Sequence, residues 1–317
     1  MKADLDFETP IAEIEKTIEK LRNLSNNNKG DFDEQIHELE KKLQQKRREI
    51  YAKLSPWQTV QVARHKNRPL FQDYAKNVFS DFIELHGDRA FSDDRALIGG
   101  FARLGDETVM LIGHNKGKTV EENVERNFGC ARPEGYRKAL RLMKLAEKFN
   151  IPVICLIDTQ GAYPGMDAEE RGQAEAIARN LMEMSHLQVP IICLVTGEGG
   201  SGGALGIGVG DVLLMLSNSV YSVISPEGCA SILWRDAAYA STAAEAMKIT
   251  ATALKELGVV DDIITEPAGG AHNNYEQTFS AVAETLSKHL KSLKGVSRSK
   301  LTNKRFEKYS KIGMFNK

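Results

Sequence analysis

The chain of 317 residues lacks several features that mark particular classes of protein. Its four cysteines contain no Cys-x-x-Cys pair, so we expect neither a disulfide framework nor a metal site. The formal net charge of −1 excludes a globally basic nucleic-acid binder, and no apolar run approaches the roughly 20 residues that span a bilayer. The first residues also lack the apolar core of a signal peptide. We therefore expect a cytoplasmic protein with reduced core thiols, and neither a membrane nor a nucleic acid as its partner.

Glycine, by contrast, is concentrated in one stretch: eight of the fifteen residues from Thr196 to Gly210 are glycine. The apolar run before it, 189–195, predicts a buried strand. Glycine lets another molecule lie against bare backbone, and a glycine turn that opens a helix presents unpaired N–H groups at the positive end of the helix dipole. The stretch therefore predicts a site that binds an anion, or a developing oxyanion, through backbone groups.

The same pattern occurs once earlier in the chain. Residues 151–157 predict a second apolar strand, 158–165 a glycine-containing turn, and 168–184 a helix. Cys155 and Cys193 occupy equivalent positions in the two strands, so a unit of strand, glycine turn and helix is used twice. We expect the two units to stack and to place both glycine turns at the same edge of the fold.

The remaining sequence divides into three predicted domains: a helical hairpin at 1–54, a central domain at 55–294 and a basic tail at 295–317. The hairpin breaks at 25–30, and its narrow apolar stripe favours either assembly with a partner or packing on its own body. We expect 116–128 to be a charged, mobile segment and the tail to be a solvated helix with a disordered end. Further helices are predicted at 55–64, 73–85, 133–149, 237–257 and 275–293, and further strands at 97–104, 108–113, 212–216, 221–224 and 259–265.

Four short motifs resemble known sites but lack the expected context. Residues 197–202 match a dinucleotide fingerprint without the acidic residue expected further on, and 113–119 fall one residue short of a P-loop. Residues 199–203 match a nucleophile elbow, but residues 197–200 lie between the predicted strand and Ser201, and no histidine can be placed beside it. Residues 246–249 resemble a biotin attachment site, but they lie in a predicted helix rather than a hairpin.

Longer motifs, spread over almost the whole length of the chain, resemble those of a known protein family. The chain resembles the alpha subunits of the bacterial and plastid acetyl-CoA carboxylase carboxyltransferases. The motifs are Phe7-Glu8-x-Pro10-Ile11, His86-Gly87-Asp88-Arg89, Arg126-Asn127-Phe128-Gly129, 133–139, Asp158-Thr159-x-Gly161-Ala162-Tyr163-Pro164-Gly165, 169–173, 197–204 and 225–234. Gln160 departs from this pattern, which has proline there, and we expect a looser turn with Gly161 and Ala162 in place.

The resemblance implies an α/β fold of the crotonase-like type, a spiral of ββα units. It implies two alpha and two beta subunits, the beta subunit binding acetyl-CoA and carrying a zinc ribbon. It also implies that the subunits act together with biotin carboxylase, and that the biotin carboxyl carrier protein presents carboxybiotin to them. This chain is then expected to bind no cofactor covalently and no metal, and to take part in making malonyl-CoA for fatty acid biosynthesis.

The resemblance also implies which residues form the site. Backbone N–H groups near Gly202, Gly203 and Ala204 are expected to stabilise negative charge on the biotin ureido oxygen, so no side chain need act as a general base. The expected lining of the carboxybiotin pocket is Gly161, Ala162, Gly199, Gly200 and Ser201.

Two other classes of function remain open at this point. A Clp-type serine peptidase would share the fold and would use Ser201 with a histidine. A non-catalytic scaffold would use the hairpin and the basic tail for assembly.

Overall fold

The computed structural model describes residues 5–26 and 32–313, so most of the predicted break at 25–30 lies outside the described residues. Within that part of the chain there are eight strands, fourteen α-helices and three single-turn 3-10 helices at Asp6–Glu8, Asn127–Gly129 and Ala237–Tyr239. The strands are β1 Ser80–Glu84, β2 Leu97–Leu104, β3 Glu107–His114, β4 Val153–Thr159, β5 Ile191–Gly200, β6 Val212–Leu216, β7 Val220–Ser222 and β8 Asp262–Ile264. The helices are α1 Thr9–Asn26, α2 Asp33–Tyr51, α3 Pro56–Ala63, α4 Phe71–Asn77, α5 Val120–Glu125, α6 Pro133–Phe149, α7 Met166–Glu170, α8 Gln173–His186, α9 Ser201–Leu205, α10 Pro226–Trp234, α11 Ala240–Met247, α12 Ala251–Glu256, α13 Tyr275–Leu293 and α14 Arg298–Ser310.

The strands form one mixed sheet in the order β1-β2-β3-β4-β5-β6-β8, and β7 pairs with the last part of β5. The first three strands are antiparallel, and the pairs from β3 to β8 are parallel. Cys155 lies directly opposite Cys193, which confirms the predicted repeat of two equivalent units. Thr159 lies opposite Gly199, so the segments that follow β4 and β5 leave the sheet at the same edge. The carboxyl edge of a parallel sheet is where ligands bind in open α/β folds.

Each face of the sheet is covered by helices because the parallel strands are apolar on both faces. Cys155 and Cys193 point into a core formed with α6, where Tyr136, Leu142 and Met143 are fully buried. The alternate strand residues point into a second core, which is closed by α4 and α13. The two cores fix the positions of β4 and β5 from both sides, and the strand ends are fixed with them.

The predicted N-terminal helical hairpin is confirmed. Helices α1 and α2 pack against each other through a cluster of their own, in which Ile11, Ile18 and Leu43 are buried. Tyr51, near the end of α2, donates a 2.6 Å hydrogen bond to Glu8 and so closes the open end of the hairpin. Whether this hairpin serves assembly stays a prediction, as does the division into three domains.

Two predictions about single elements are wrong. The predicted helix 73–85 ends at Asn77, and β1 follows as an edge strand paired with β2. Apolar residues four apart suit a helix, but every second residue of the same stretch can also face a sheet, so the pattern was ambiguous. Residues 116–128 are ordered rather than mobile, because Thr119 caps α5 and Lys116 is held in an ion pair with Asp158.

Two predicted continuous helices are interrupted. The helix predicted at 168–184 is divided into α7 and α8 by Gly172, which adopts a φ of +80°. The helix predicted at 237–257 stops at Met247, and Lys248 takes a left-handed conformation with a φ of +54°. Thr250 then forms a bridge with Val220 before α12 begins, which ties this segment to β7.

The predicted basic tail is not a solvated helix. Helix α14 packs against the body, and Arg305 on it is fully buried. Its guanidinium forms a 2.8 Å ion pair with Asp211 and donates further hydrogen bonds to three backbone carbonyls, those of Met184, Leu187 and Val189. The predicted disordered end falls largely on 314–317, outside the described residues. None of the described helices is long and apolar enough to cross a membrane.

Candidate active site

A cavity of about 820 Å³ opens where the chain leaves β4 and β5. It brings both glycine segments together, as predicted. Six of the eight residues expected at the site line it: Gly161, Ala162, Gly199, Gly200, Ser201 and Gly202. The other two, Gly203 and Ala204, are buried in α9 immediately behind the wall.

The strand that enters this site is longer than the sequence predicts. We expected 197–200 to form a turn, but β5 continues through Gly200 and Ser201 opens α9 directly, with a φ of +51°. The extension occurs because β7 pairs with these residues, Gly200 lying opposite Ser222. Ser201 therefore does stand at a strand-to-helix junction of the elbow type, which corrects the expected separation of Ser201 from the strand.

Ser201 has no visible general base. In the described chain, no histidine is among the residues that line the cavity. His114, at the end of β3 and separated from β5 by β4, is completely buried, and burial lowers its pKa to about 4. An elbow without a base lacks the group that activates a serine nucleophile.

The glycines of the site differ in what a side chain would meet. At Gly161 an added Cβ would have Ser201 as its nearest neighbour at 4.0 Å, and at Gly202 it would lie 3.5 Å from Ile177. Both positions are therefore open toward the cavity. A Cβ at Gly199 would overlap the Tyr221 ring, and one at Gly200 would overlap the Gln160 carbonyl. A Cβ at Gly203 would overlap the backbone of Gly161. Those three glycines are required by packing.

The close approach of Gly203 to Gly161 joins the two glycine segments into one wall. The first four N–H groups of an α-helix have no partner within the helix, so the N–H groups of 201–204 depend on other acceptors. Gly202 is the member of this first turn that both lines the cavity and carries no side chain. The arrangement can accept an anionic oxygen at the start of α9.

A chain of charged side chains runs beside the same wall. Arg64, at the end of α3, donates to Glu198 at 2.7 Å and to Glu227 at 2.5 Å. Lys116 lies 2.7 Å from Asp158 and 3.6 Å from Glu198. The backbone N–H of Glu198 donates to Asp158 at 2.9 Å. Three carboxylates and two cations thus alternate from α10 across β5 to β4.

Burial lowers the pKa of Arg64 and of Lys116, but the carboxylates bound to them raise it by more. The carboxylates of Glu227 and Glu198 raise the pKa of Arg64, and Asp158 with Glu198 raises the pKa of Lys116. Burial likewise opposes the charge of Glu227, yet the hydrogen bond from Arg64 lowers its pKa. These groups are therefore charged at neutral pH.

This chain of charges was not predicted from the sequence. In the sequence, Lys116 falls in an incomplete P-loop and in the predicted charged segment 116–128, and Glu198 falls in the glycine stretch. A signal was present, since Asp158 and Glu198 are acids placed at the carboxyl ends of apolar strands, where function is common. In the described residues, no three His, Cys, Asp or Glu side chains come together as a metal site.

Comparisons with known proteins identify the family of the chain and agree with its fold. Residues 4–313 match the model of a family described as acetyl co-enzyme A carboxylase carboxyltransferase-like. The chain belongs to this family. It is 56% identical over 316 residues to the acetyl-coenzyme A carboxylase carboxyl transferase subunit alpha of Halalkalibacterium halodurans, covering 100% of this chain and 97% of that one. The subunit alpha of a Bacillus cereus strain is also 56% identical, over 98% of this chain and 96% of its own.

Solved structures of lower identity confirm the predicted crotonase-like fold. A Pseudomonas malonate decarboxylase hetero-tetramer, in complex with coenzyme A, has a chain that matches 74% of this chain and 90% of its own at 16% identity, with a TM-score of 0.58. The transcarboxylase 12S matches 72% of this chain and 44% of its own at 21% identity, with a TM-score of 0.57.

Proposed function

We propose that this chain is the alpha subunit of the carboxyltransferase component of acetyl-CoA carboxylase. In that role it transfers a carboxyl group from carboxybiotin on the biotin carboxyl carrier protein to acetyl-CoA, giving malonyl-CoA for fatty acid biosynthesis. The similarity over the full length to named alpha subunits carries this proposal. The glycine-walled cavity supports it, because carboxyl transfer needs a place for negative charge rather than a reactive side chain.

The residues of the cavity fit a biotin group. Gly161 and Gly202 leave open the space that a Cβ would fill, and Ile177, Val220 and Ile224 supply an apolar lining for a ring. When bound, carboxybiotin supplies the carboxyl group and develops negative charge on its ureido oxygen. The walls contribute orientation and exclusion of water.

We assign the holding of that charge to the N–H groups at Gly202, Gly203 and Ala204. Gly202 is the best placed of the three, because it lines the cavity while the other two are buried. Gly203 and Ala204 complete the first turn of α9, and their aligned dipoles add positive potential at its start. Gly161 and Ala162 form the facing wall, and Gly199, Gly200 and Ser201 shape the floor.

We further propose that acetyl-CoA is bound mainly by a beta subunit in an assembly of two alpha and two beta chains, with biotin carboxylase as a further partner. Exposed apolar side chains support a protein partner near the cavity. Val223, at the cavity itself, is 77% exposed, and Ile232 and Leu233 are exposed on α10, the helix that begins at the cavity. Four free thiols, two of them buried, support a reducing compartment such as the cytoplasm.

Reconstitution tests the function directly. The chain, mixed with the beta subunit of a relative and with carboxylated carrier protein, should form malonyl-CoA from acetyl-CoA, measured by chromatography. The chain alone should show little or no turnover. Full turnover by the chain alone would contradict the two-subunit proposal, and no turnover in the complete mixture would contradict the function. Labelling of Ser201 by a fluorophosphonate would favour a serine hydrolase instead.

A further inference from the structure

Among the described residues that line the cavity, Arg64 is the one cationic side chain, whereas Glu169, Glu198 and Glu227 are acidic. A site built to hold an anion would be expected to avoid negative charge. Glu198 is nevertheless only three residues before Ser201 on β5, about 10 Å along a strand, and its side chain is buried. The presence of this carboxylate needs a physical reason or a compensating charge.

The compensation is visible in the contacts of Glu198. Arg64 binds one of its carboxylate oxygens at 2.7 Å, and Lys116 lies 3.6 Å from the other. Because each cation is also bound to a second acid, Glu227 for Arg64 and Asp158 for Lys116, both are held on either side of Glu198. Glu198, three residues before Ser201, therefore has a cation on each side that offsets its charge.

We infer that Arg64 is a positioning residue for carboxyl transfer, which acts through Glu198 by cancelling its charge so that an anion can be held at the start of α9. The inference rests on the proposed function. Arg64 contacts no reacting atom in this assignment. One uncompensated charge at about 10 Å, in a site with an effective dielectric constant of about 20, changes the stability of an anion by a factor on the order of ten.

A charge deletion and its suppressor test this role. Arg64→Met removes the cation that binds Glu198 directly and leaves only Lys116, at 3.6 Å and shared with Asp158, so it should lower kcat for malonyl-CoA formation about tenfold in the reconstituted complex. Glu227 loses Arg64 as well, but its side chain is 37% exposed and solvent screens its charge. Glu198→Gln in the same variant removes the buried carboxylate that has lost its direct cation, without rebuilding any contact of Arg64. We expect it to restore kcat to within about threefold of the wild type. Arg64→Lys keeps the charge and should retain most of the rate.

Arg171 provides a matched control. It also bridges two carboxylates, Glu134 at 2.6 Å and Asp167 at 3.2 Å, and its side chain is 22% exposed against 28% for Arg64. It does not line the cavity. Arg171→Met should therefore change kcat by less than about threefold while lowering the urea midpoint about as much as Arg64→Met.

A binding measurement separates this role from direct recognition of the ligand. The uncarboxylated biotinyl carrier protein presents a neutral ring, so its Kd, measured by calorimetry, should be the same for Arg64→Met and for the wild type. A Kd weakened tenfold with kcat unchanged would overturn the inference, since Arg64 would then contact the ligand. Failure of Glu198→Gln to restore kcat would overturn it as well.

The urea midpoint provides a readout without turnover, and Glu198→Gln should raise that of the Arg64→Met variant. If the wild-type complex forms no malonyl-CoA, the proposed function fails and the inference fails with it. If the wild type is active and the suppressor has no effect on rate or on urea midpoint, only the inference fails.

Discussion

Gly202 and Gly203 are adjacent in sequence, but a side chain would have room at Gly202 and would clash with backbone at Gly203. Because a Cβ at Gly202 would meet only Ile177, at 3.5 Å, Gly202→Ala should fold normally and place a methyl group beside the first-turn N–H groups. Displacing one oxyanion donor costs about 10² to 10³ in rate, and we expect kcat to fall toward that range. Initial rates in the reconstituted complex measure it, with circular dichroism as the check on folding.

Gly203→Val should instead lose folded protein, because its side chain would overlap the backbone of Gly161. The control for Gly202→Ala is Ser201→Ala, which removes a hydroxyl that the proposed chemistry does not use. Its rate should fall by less than about tenfold. Serine chemistry would be favoured if Ser201→Ala abolished turnover while Gly202→Ala did not.

Asp94 is a single residue whose titration should be visible in stability. Burial raises the pKa of its carboxyl from 3.8 to about 6, even though the N–H groups of Ala96 and Arg132 bind it. The folded protein therefore binds a proton more tightly than the unfolded chain. The resulting stabilisation is present below pH 3.8 and is lost as the pH rises through about 6.

We therefore predict that the wild type loses about 2 kcal/mol of unfolding free energy relative to Asp94→Asn between pH 4.5 and pH 7. Urea unfolding at intervals across this range provides the measurement. Asp106→Asn, which changes an exposed turn carboxyl, is the control and should show no such trend. The assignment would be contradicted if the unfolding free energy of the wild type, relative to that of Asp94→Asn, stayed constant or increased as the pH rose.

Elements whose signal is local could be predicted from the sequence. The predicted helices 133–149 and 275–293 have the observed bounds, because proline or an asparagine cap starts them and a continuous apolar face buries them. Elements that depend on a distant neighbour could not. β1 exists because β2 offers an edge, and β5 extends to Gly200 because β7 pairs with it.

The candidate site shows the same division. Its backbone wall could be predicted, since glycine density and the repeated unit are properties of one stretch of chain. Its charges could not, because Arg64 and Glu198 are 134 residues apart and only the folded sheet brings them together. The docking of α14 depends likewise on Asp211, 94 residues earlier, which no local pattern indicates.

Helix α14 should contribute substantially to stability through Arg305. Arg305→Ala would leave Asp211 buried and unpaired, and loss of one partner of a buried ion pair typically costs about 3–5 kcal/mol. We expect a correspondingly lower urea midpoint. Lys304→Ala, at an exposed position on the same helix, is the matched control and should change stability by less than about 0.5 kcal/mol. Equal midpoints for the two variants would show that this pair does not hold α14.

At the scale of the whole molecule, the N-terminal hairpin stands apart from the two cores that support the site. Its buried residues Ile11, Ile18 and Leu43 form a separate cluster, and contacts between α1 and α2 account for most of its packing. Catalysis as proposed here uses none of its side chains. Because the charged hairpin contributes little to the two cores of the body, we expect its role to be assembly with other subunits rather than stabilisation of the fold.

Deleting residues 1–54 should therefore leave the crotonase-like core folded and weaken its association with the beta subunit. Light scattering of the mixed chains should report a smaller average mass for the truncated protein at concentrations where the full chain assembles. Circular dichroism and the urea midpoint of the truncated chain alone are the control, since both should stay close to those of the full chain. An unchanged complex mass would show that the hairpin has no role in assembly. A collapse of the urea midpoint would show instead that the hairpin stabilises its own body, which is the alternative that its narrow apolar stripe left open.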